Sequence, residues 1–179
     1  MQHTLRIMTL VLVVSIAGCG GKKEDAPRKD LTKYVPPREA VRFILKELPL
    51  DAKDVIAIRK QTKNDDDIVV VGRIGGSENP WIKDRSAFTI VDRSLKACNE
   101  RVGDTCPVPW DFCCELTKLK KAKAFIKFVG ADGKLLRKGA RALFQVEELQ
   151  TVFVRGKAIR DKEGNLTVIA SGMYVVRGT

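Results

Sequence analysis

The fold class is decided by the stretch TVFVRGKAIRDKEGNLTVIASGMYVV, residues 151–176. Its two runs Thr151–Ile159 and Leu166–Val176 are rich in β-branched and aromatic residues, a composition typical of strands. Between them, DKEGN at residues 161–165 has the composition of a turn. The stretch therefore predicts two long strands joined as a hairpin.

The chain before this hairpin continues the β pattern. Three earlier strands are predicted over Ile68–Ile74, Ala87–Val91 and Ala122–Val129. A short helical segment is predicted around 140–148, between the third and fourth strands. Five strands in this order resemble the OB-fold, a small five-stranded barrel, and residues 66–176 also have its size. Glycines inside strands, such as Gly72 and Gly156, permit the sharp coiling of such a barrel. We expect a mainly β domain of this kind, with another small antiparallel β domain as the alternative.

One or two short helices are predicted in front of the barrel. The first opens at Pro36-Pro37 and ends at Pro49, since proline suits a first helical turn and stops a helix beyond it. Its apolar stripe has helical spacing and consists of Val41, Ile44, Leu45 and Leu48. A second helix is predicted over 52–60, where a strand is nearly as well supported. We expect the stripe to pack on the barrel; docking of another protein is the alternative.

The amino terminus indicates a compartment. Arg6 precedes an apolar run at 7–17, which is too short to span a membrane, and SIAG at 15–18 leads into Cys19. This segment resembles the lipobox of bacterial lipoproteins. The resemblance implies cleavage before Cys19 and acylation of that cysteine; a plain cleaved signal is the alternative.

These patterns predict a three-part chain in the cell envelope. Its parts are a signal peptide at 1–18, a lipidated flexible tether at 19–35 and the barrel domain with its helix at 36–179. The domain is expected to face the periplasm or the exterior. The formal net charge is +11, which favours an anionic partner. An acidic envelope polymer, the lipid surface or a protein suits this location better than nucleic acid does.

Residue composition argues against an enzyme. His3, in the predicted signal, is the only histidine of the sequence. The mature chain therefore has no Ser-His or Cys-His pair and no His-ligated metal centre. The sequence also contains no Walker-type phosphate loop and no Gly-x-Ser-x-Gly elbow. We predict a non-enzymatic binding or structural domain that needs no cofactor.

Four cysteines lie between the second and third predicted strands: Cys98, Cys106, Cys113 and Cys114. In an exported chain this number indicates two structural disulfides. Since adjacent cysteines seldom bridge each other, the open pairings are Cys98–Cys113 with Cys106–Cys114, or Cys98–Cys114 with Cys106–Cys113. The alternative is a metal-binding or redox site, with Asp104 and Asp111 as possible oxygen ligands. The absence of a Cys-x-x-Cys pair argues against this alternative.

The third predicted strand suggests a binding face, because side chains of a strand alternate between its two faces. Residues 122, 124, 126 and 128 are expected to point inward. An aromatic ring among outward lysines can stack on a base or sugar while the lysines neutralise anionic groups. With the loop at 75–85, the candidate contact residues are Trp81, Lys83, Lys121, Lys123, Phe125 and Lys127. A solvated lysine-rich surface is the alternative.

Two further motifs extend the resemblance to the mature chain. They are CPVPWDFCC at 106–114 and VRGKAIRDKEGNLTV at 154–168. Together with the lipobox they resemble a group of exported bacterial lipoproteins of unassigned activity. The resemblance implies an exported location and carries no activity to transfer.

Overall fold

The computed structural model describes residues 34–177. Its helices and strands, in chain order, are α1 Arg38–Val41, β1 Lys53–Asp54, α2 Val55–Gln61, β2 Asp67–Ile74, β3 Ala87–Val91, α3 Leu116–Leu119, β4 Lys123–Phe128, α4 Ala140–Phe144, β5 Thr151–Arg160 and β6 Leu166–Val175. The predicted signal peptide, Cys19 and the tether as far as residue 33 lie outside the described residues. Within 34–177, no helix has the length and apolar character needed to cross a membrane.

Strands β2 to β6 close into a barrel. β2 pairs antiparallel with both β3 and β5, and β3 pairs antiparallel with β4. β6 pairs antiparallel with β5 and parallel with β4, which completes the ring. This is the strand order of a small OB-like barrel, so the predicted fold class is confirmed. Each of the five predicted strands agrees with the structure to within one residue at either end.

The barrel interior is filled by alternate residues of the strands. Val70, Phe88, Ile126, Val154 and Val168 are completely buried within one apolar core. Their regular spacing reflects the two-residue period of strand side chains. Burial of this continuous apolar surface is the main source of the stability of the barrel.

Aromatic rings pack together within this core, beside the short helix α4. The ring of Phe128 lies 4.4 Å from that of Phe144 in α4 and 5.1 Å from that of Phe43, measured between centroids. Aromatic pairs at such distances stabilise a core beyond their buried area. α4 is shorter than the predicted 140–148, because Gln145 adopts a left-handed conformation that ends the helix.

The predicted helix over 37–48 is wrong in extent. Only Arg38–Val41 is helical, and Val41 and Leu48 of the predicted stripe are exposed. Beyond the helix, the amide of Leu45 donates to the carbonyl of Met173 at 2.9 Å, and the amide of Met173 donates to Phe43 at 2.6 Å. β4 pairs with β6 only as far as Ala170, so backbone groups near Met173 need another partner. The segment after α1 supplies that partner instead of continuing the helix.

The second predicted helix is confirmed as α2. Its first turn is preceded by the two-residue strand β1, in which Lys53 lies opposite Val70 of β2 in a parallel register. The segment predicted over 52–60 therefore begins as a short strand, β1, and continues as a helix, α2. α2 packs against β1, β2 and β4, which places it on the outside of the barrel.

Gly156 marks a close approach between β5 and β6. The register of the two strands shifts between Arg155 and Gly156, and a Cβ at Gly156 would overlap the carbonyl oxygen of Ile169. We predict that Gly156→Ala lowers the free energy of unfolding by about 1–3 kcal/mol in urea denaturation, because the strands must separate to admit the methyl group. Gly139→Ala is the control, since a Cβ there meets no atom within 4 Å. Equal losses in both variants would contradict this packing.

Candidate functional site

The outer face of β4 has the predicted alternation. Lys123, Phe125 and Lys127 are half-buried and face outward, whereas Ala124 and Ile126 between them are buried. The ammonium group of Lys127 lies 5.4 Å from the centre of the Phe125 ring, within cation–π range. The strand therefore presents lysines and one aromatic ring side by side on the barrel surface.

A groove lies next to this face, between α2, α3 and the β5–β6 hairpin. It has a volume of about 760 Å³. Its charged lining residues within the described part of the chain, which together define the basic groove, are Arg59, Lys60, Lys118, Lys121, Arg160 and one acid, Glu163. A depression of about 260 Å³ shares Arg59 with the groove and is also lined by Lys120, Lys123 and Phe125. Positive charge thus dominates the lining.

Two arginines are held in the basic groove by backbone carbonyls. Arg59 donates to the carbonyls of Lys123 and Gly164, both at 2.8 Å, and Arg160 donates to the carbonyl of Arg59. Neither guanidinium forms an ion pair with a carboxylate of residues 34–177. Burial, followed by the positive charge of Arg160, lowers the pKa of Arg59. The carboxylate of Asp161 partly offsets this effect. The two cations therefore repel each other in fixed positions, and among residues 34–177 neither is paired directly with a carboxylate.

Of the predicted contact residues, Lys121 lines the basic groove, and Lys123 and Phe125 line the depression beside it. Trp81 and Lys83 line neither of these cavities. The indole N–H of Trp81 donates to the carboxylate of Glu148 at 2.7 Å, and its ring packs 5.5 Å from that of Phe88. The geometry of Trp81 is that of a packing residue. Lys83 is exposed in the turn that follows Trp81.

Several lining residues of the groove were missed by sequence reasoning. Arg59 and Lys60 lie in α2, Lys118 lies in α3, and Arg160 ends β5. The OB-like order could have indicated Arg160, because it places the β5–β6 hairpin beside β4. Arg59 had no comparable signal, since its backbone partners Lys123 and Gly164 are remote in sequence.

The four cysteines lie in a loop between β3 and β4, which we call the cysteine loop, Cys98–Glu115. It contains three short 3₁₀ turns at Cys98–Glu100, Pro109–Asp111 and Cys113–Glu115. The carbonyl of Trp110 accepts a 2.7 Å hydrogen bond from the amide of Gly76, which follows β2. The loop also contributes to a second small core, whose buried members are Val91, Leu95, Ala97, Phe112, Leu119 and Ala122. The cysteine loop is therefore fixed to the barrel by packing and hydrogen bonding.

The sulfur atoms of the loop converge. Cys113 Sγ lies 3.5 Å from Cys98 Sγ and 3.9 Å from Cys106 Sγ. All four cysteines carry free thiols in the structure, and neither predicted disulfide pairing is formed, because a disulfide requires sulfurs about 2.05 Å apart. The neighbouring Cys98 thiol, more than any other group, raises the pKa of Cys113 above its usual value. The oxidised state of the loop stays a prediction.

Both aspartates named as possible ligands lie beside the sulfurs. Asp111 Oδ1 is 3.7 Å from Cys98 Sγ, and Asp104 Oδ2 is 3.6 Å from Cys114 Sγ. Each carboxylate also accepts a backbone hydrogen bond from a cysteine of the loop, Asp111 from Cys113 at 2.8 Å and Asp104 from Cys106 at 2.7 Å. The structure thus places both aspartates beside the four cysteines, in two groups of donor atoms that share Cys98.

No family model and no curated protein matches the sequence. Among solved structures, a chain assigned as an aspartyl-tRNA synthetase from Leishmania major Friedlin matches with a TM-score of 0.38 and 8% identity, over 76% of this chain. The match spans 23% of that synthetase chain. The class of the described domain, an OB-like barrel, therefore rests on its own strand order.

Proposed function

We propose that the protein is a non-enzymatic, membrane-anchored lipoprotein of the bacterial cell envelope whose OB-like domain binds an anionic ligand through the basic groove. The lipobox-like segment before Cys19 supports the anchor. The lining of the groove supports the ligand class. The two parts of the proposal rest on separate observations and are tested separately.

The observation that carries the ligand class is the fixed pair of Arg59 and Arg160. Their guanidinium groups are oriented by carbonyl oxygens, which satisfy hydrogen bonds but supply no net negative charge. A bound phosphate or carboxylate would reduce the repulsion between them. The pair is preorganised, so binding would cost little side-chain ordering at these two positions.

The surroundings of the pair favour an extended ligand. Cations are contributed by α2, α3 and β5, so they lie along an open groove rather than around one closed point. Phe125 offers a stacking surface in the adjoining depression, and Lys123 lies beside it. A polymer with repeated anionic groups would contact several of these side chains at once, as single-stranded polyanions do on OB-folds. An acidic envelope polymer is therefore the ligand that we propose.

A catalytic role has less support from the same residues. Among residues 34–177, Glu163 is the only acidic side chain that lines the groove, and the sole histidine of the sequence, His3, lies in the predicted signal peptide. Acid–base catalysis usually pairs groups of differing pKa, commonly a histidine or two carboxylates. The groove is better suited to holding a polyanion than to transforming one.

Removal of three exposed lysines tests the groove. The probe is fluorescein-labelled polyphosphate, and the protein is a soluble form that begins at residue 20. Binding is measured by fluorescence anisotropy at increasing NaCl concentrations. We expect the wild type to bind at low salt. The Lys60→Gln/Lys118→Gln/Lys121→Gln variant should reduce the slope of log affinity against log salt by about 2, since each lost contact contributes about 0.7.

The matched control removes three exposed lysines that do not line the groove, Lys46→Gln/Lys134→Gln/Lys138→Gln. It has the same net charge as the test variant, so we expect it to keep nearly the wild-type slope. Equal weakening of the two variants would show that binding is nonspecific. Absence of binding at low salt would contradict the proposed ligand class.

Replacement of Cys19 tests the anchor. A serine at residue 19 has no thiol to form a thioether, so Cys19→Ser should abolish acylation and cleavage of the leader. Intact-mass spectrometry of the membrane fraction should give a wild-type chain that starts at Cys19 and carries acyl groups. Cys114→Ser is the control and should be processed normally. A wild-type product that is unlipidated and retains residues 1–18 would contradict the proposal.

A further inference from the structure

The cysteine loop gathers four donor atoms into a compact group. The sulfurs of Cys98, Cys106 and Cys113 and a carboxylate oxygen of Asp111 all lie within 4.8 Å of one another. A Zn²⁺ ion binds sulfur at about 2.3 Å, and tetrahedral geometry then separates two sulfur ligands by about 3.8 Å. The observed sulfur separations of 3.5 and 3.9 Å fall on either side of that value. These two separations are therefore close to the sulfur–sulfur edge of a zinc tetrahedron.

The backbone between two of these donors is held in an unusual conformation. Phe112, which separates Asp111 from Cys113, adopts a left-handed conformation with φ of 58°, and its ring is completely buried. The guanidinium of Arg73 lies 5.4 Å from the centre of this ring. Such a conformation in a residue with a large side chain costs free energy and is concentrated at functional sites. Burial of Phe112 fixes the turn that carries Asp111 and Cys113.

The donor group is accessible from one side. Cys98 is completely buried, whereas Asp111 and Cys113 line an open groove of about 770 Å³ that also contacts Gly76 and Lys120. A metal site in a folded protein needs such an entry path in addition to its ligands. The cluster combines a buried donor with donors that an ion can reach from solvent.

We propose that Cys98, Cys106, Cys113 and Asp111 form a binding site for Zn²⁺. Three thiols and one carboxylate suit zinc, which accepts sulfur and oxygen ligands in tetrahedral geometry. Binding deprotonates the three thiols and releases three protons, and no electron is transferred. Disulfide formation would instead remove two electrons and two protons from each pair of thiols. The site would hold the cysteine loop in the geometry described above.

Cys114 is the natural internal control. Its sulfur lies 3.6 Å from Asp104 and, with Cys98, belongs to a second group of donor atoms. It is not a member of the four-donor set defined by Asp111. The proposal therefore assigns different roles to the adjacent residues Cys113 and Cys114.

The experiment uses the full-length protein, purified in detergent without chelator. Elemental analysis of the wild type should give about one zinc per chain. Titration of chelator-treated protein with Co²⁺ should produce the intense near-ultraviolet absorption of thiolate-to-cobalt charge transfer and the visible bands of a tetrahedral site. Cys113→Ser should weaken Co²⁺ binding by more than about 100-fold, and Cys114→Ser should leave it within a few-fold of wild type.

Several outcomes would overturn the proposal. Mass spectrometry could find two disulfides per wild-type chain and no reactive thiol. That result would show that disulfides, and not a metal ion, hold the cysteine loop. Co²⁺ spectra without thiolate charge transfer would exclude the sulfur ligands. Loss of the ion in Cys114→Ser would refute the donor set.

Asp111→Asn tests the carboxylate if Cys113→Ser fails to fold, and an unchanged Co²⁺ affinity in Asp111→Asn would count against the site. These outcomes do not involve polyphosphate binding, so they are independent of the basic groove.

Discussion

The parallel ladder between β4 and β6 runs from Ala124 opposite Leu166 to Phe128 opposite Ala170. It joins two strands that would otherwise be sheet edges, and with the β2–β5 pairing it closes the barrel. Closure fixes which side chains point inward and which point outward. It also brings the β5–β6 hairpin beside β4, where the Arg59 side chain bonds to a carbonyl from each. The basic groove is a consequence of this one pairing.

Two candidate sites of different chemistry lie on the surface of the same barrel. The basic groove lies between α2, α3 and the hairpin, and it presents fixed cations suited to a polyanion. The cysteine loop, inserted between β3 and β4, presents sulfur and oxygen donors suited to a thiophilic cation. The loop is held to the barrel by its own small apolar core and by the hydrogen bond from Gly76 to Trp110. The barrel supplies the rigidity that both regions need.

Much of this fold could be predicted from sequence because strand formation depends on local composition. The runs at 68–74 and 151–159 have the β-branched pattern that the structure confirms. The prediction of a helix over 37–48 failed because helical spacing cannot reveal that Met173, which pairs with β5 on one side, lies beyond the end of the β4 ladder on the other. Trp81 is packed against Glu148, a neighbour 67 residues away that no local motif indicates. The cysteine spacing predicts proximity of the sulfurs but not whether they bond to each other or to an ion.

Closure through β4 and β6 is tested most directly by nuclear magnetic resonance of the folded domain. Closure predicts cross-strand nuclear Overhauser contacts in the register Phe125–Thr167 and Lys127–Ile169. It also predicts that the β4 amides that donate to β6 exchange with solvent as slowly as those of β2, because both strands are then interior to one sheet. Rapid exchange of those β4 amides, with no contacts to β6, would show an open sheet and would contradict the placement of the basic groove.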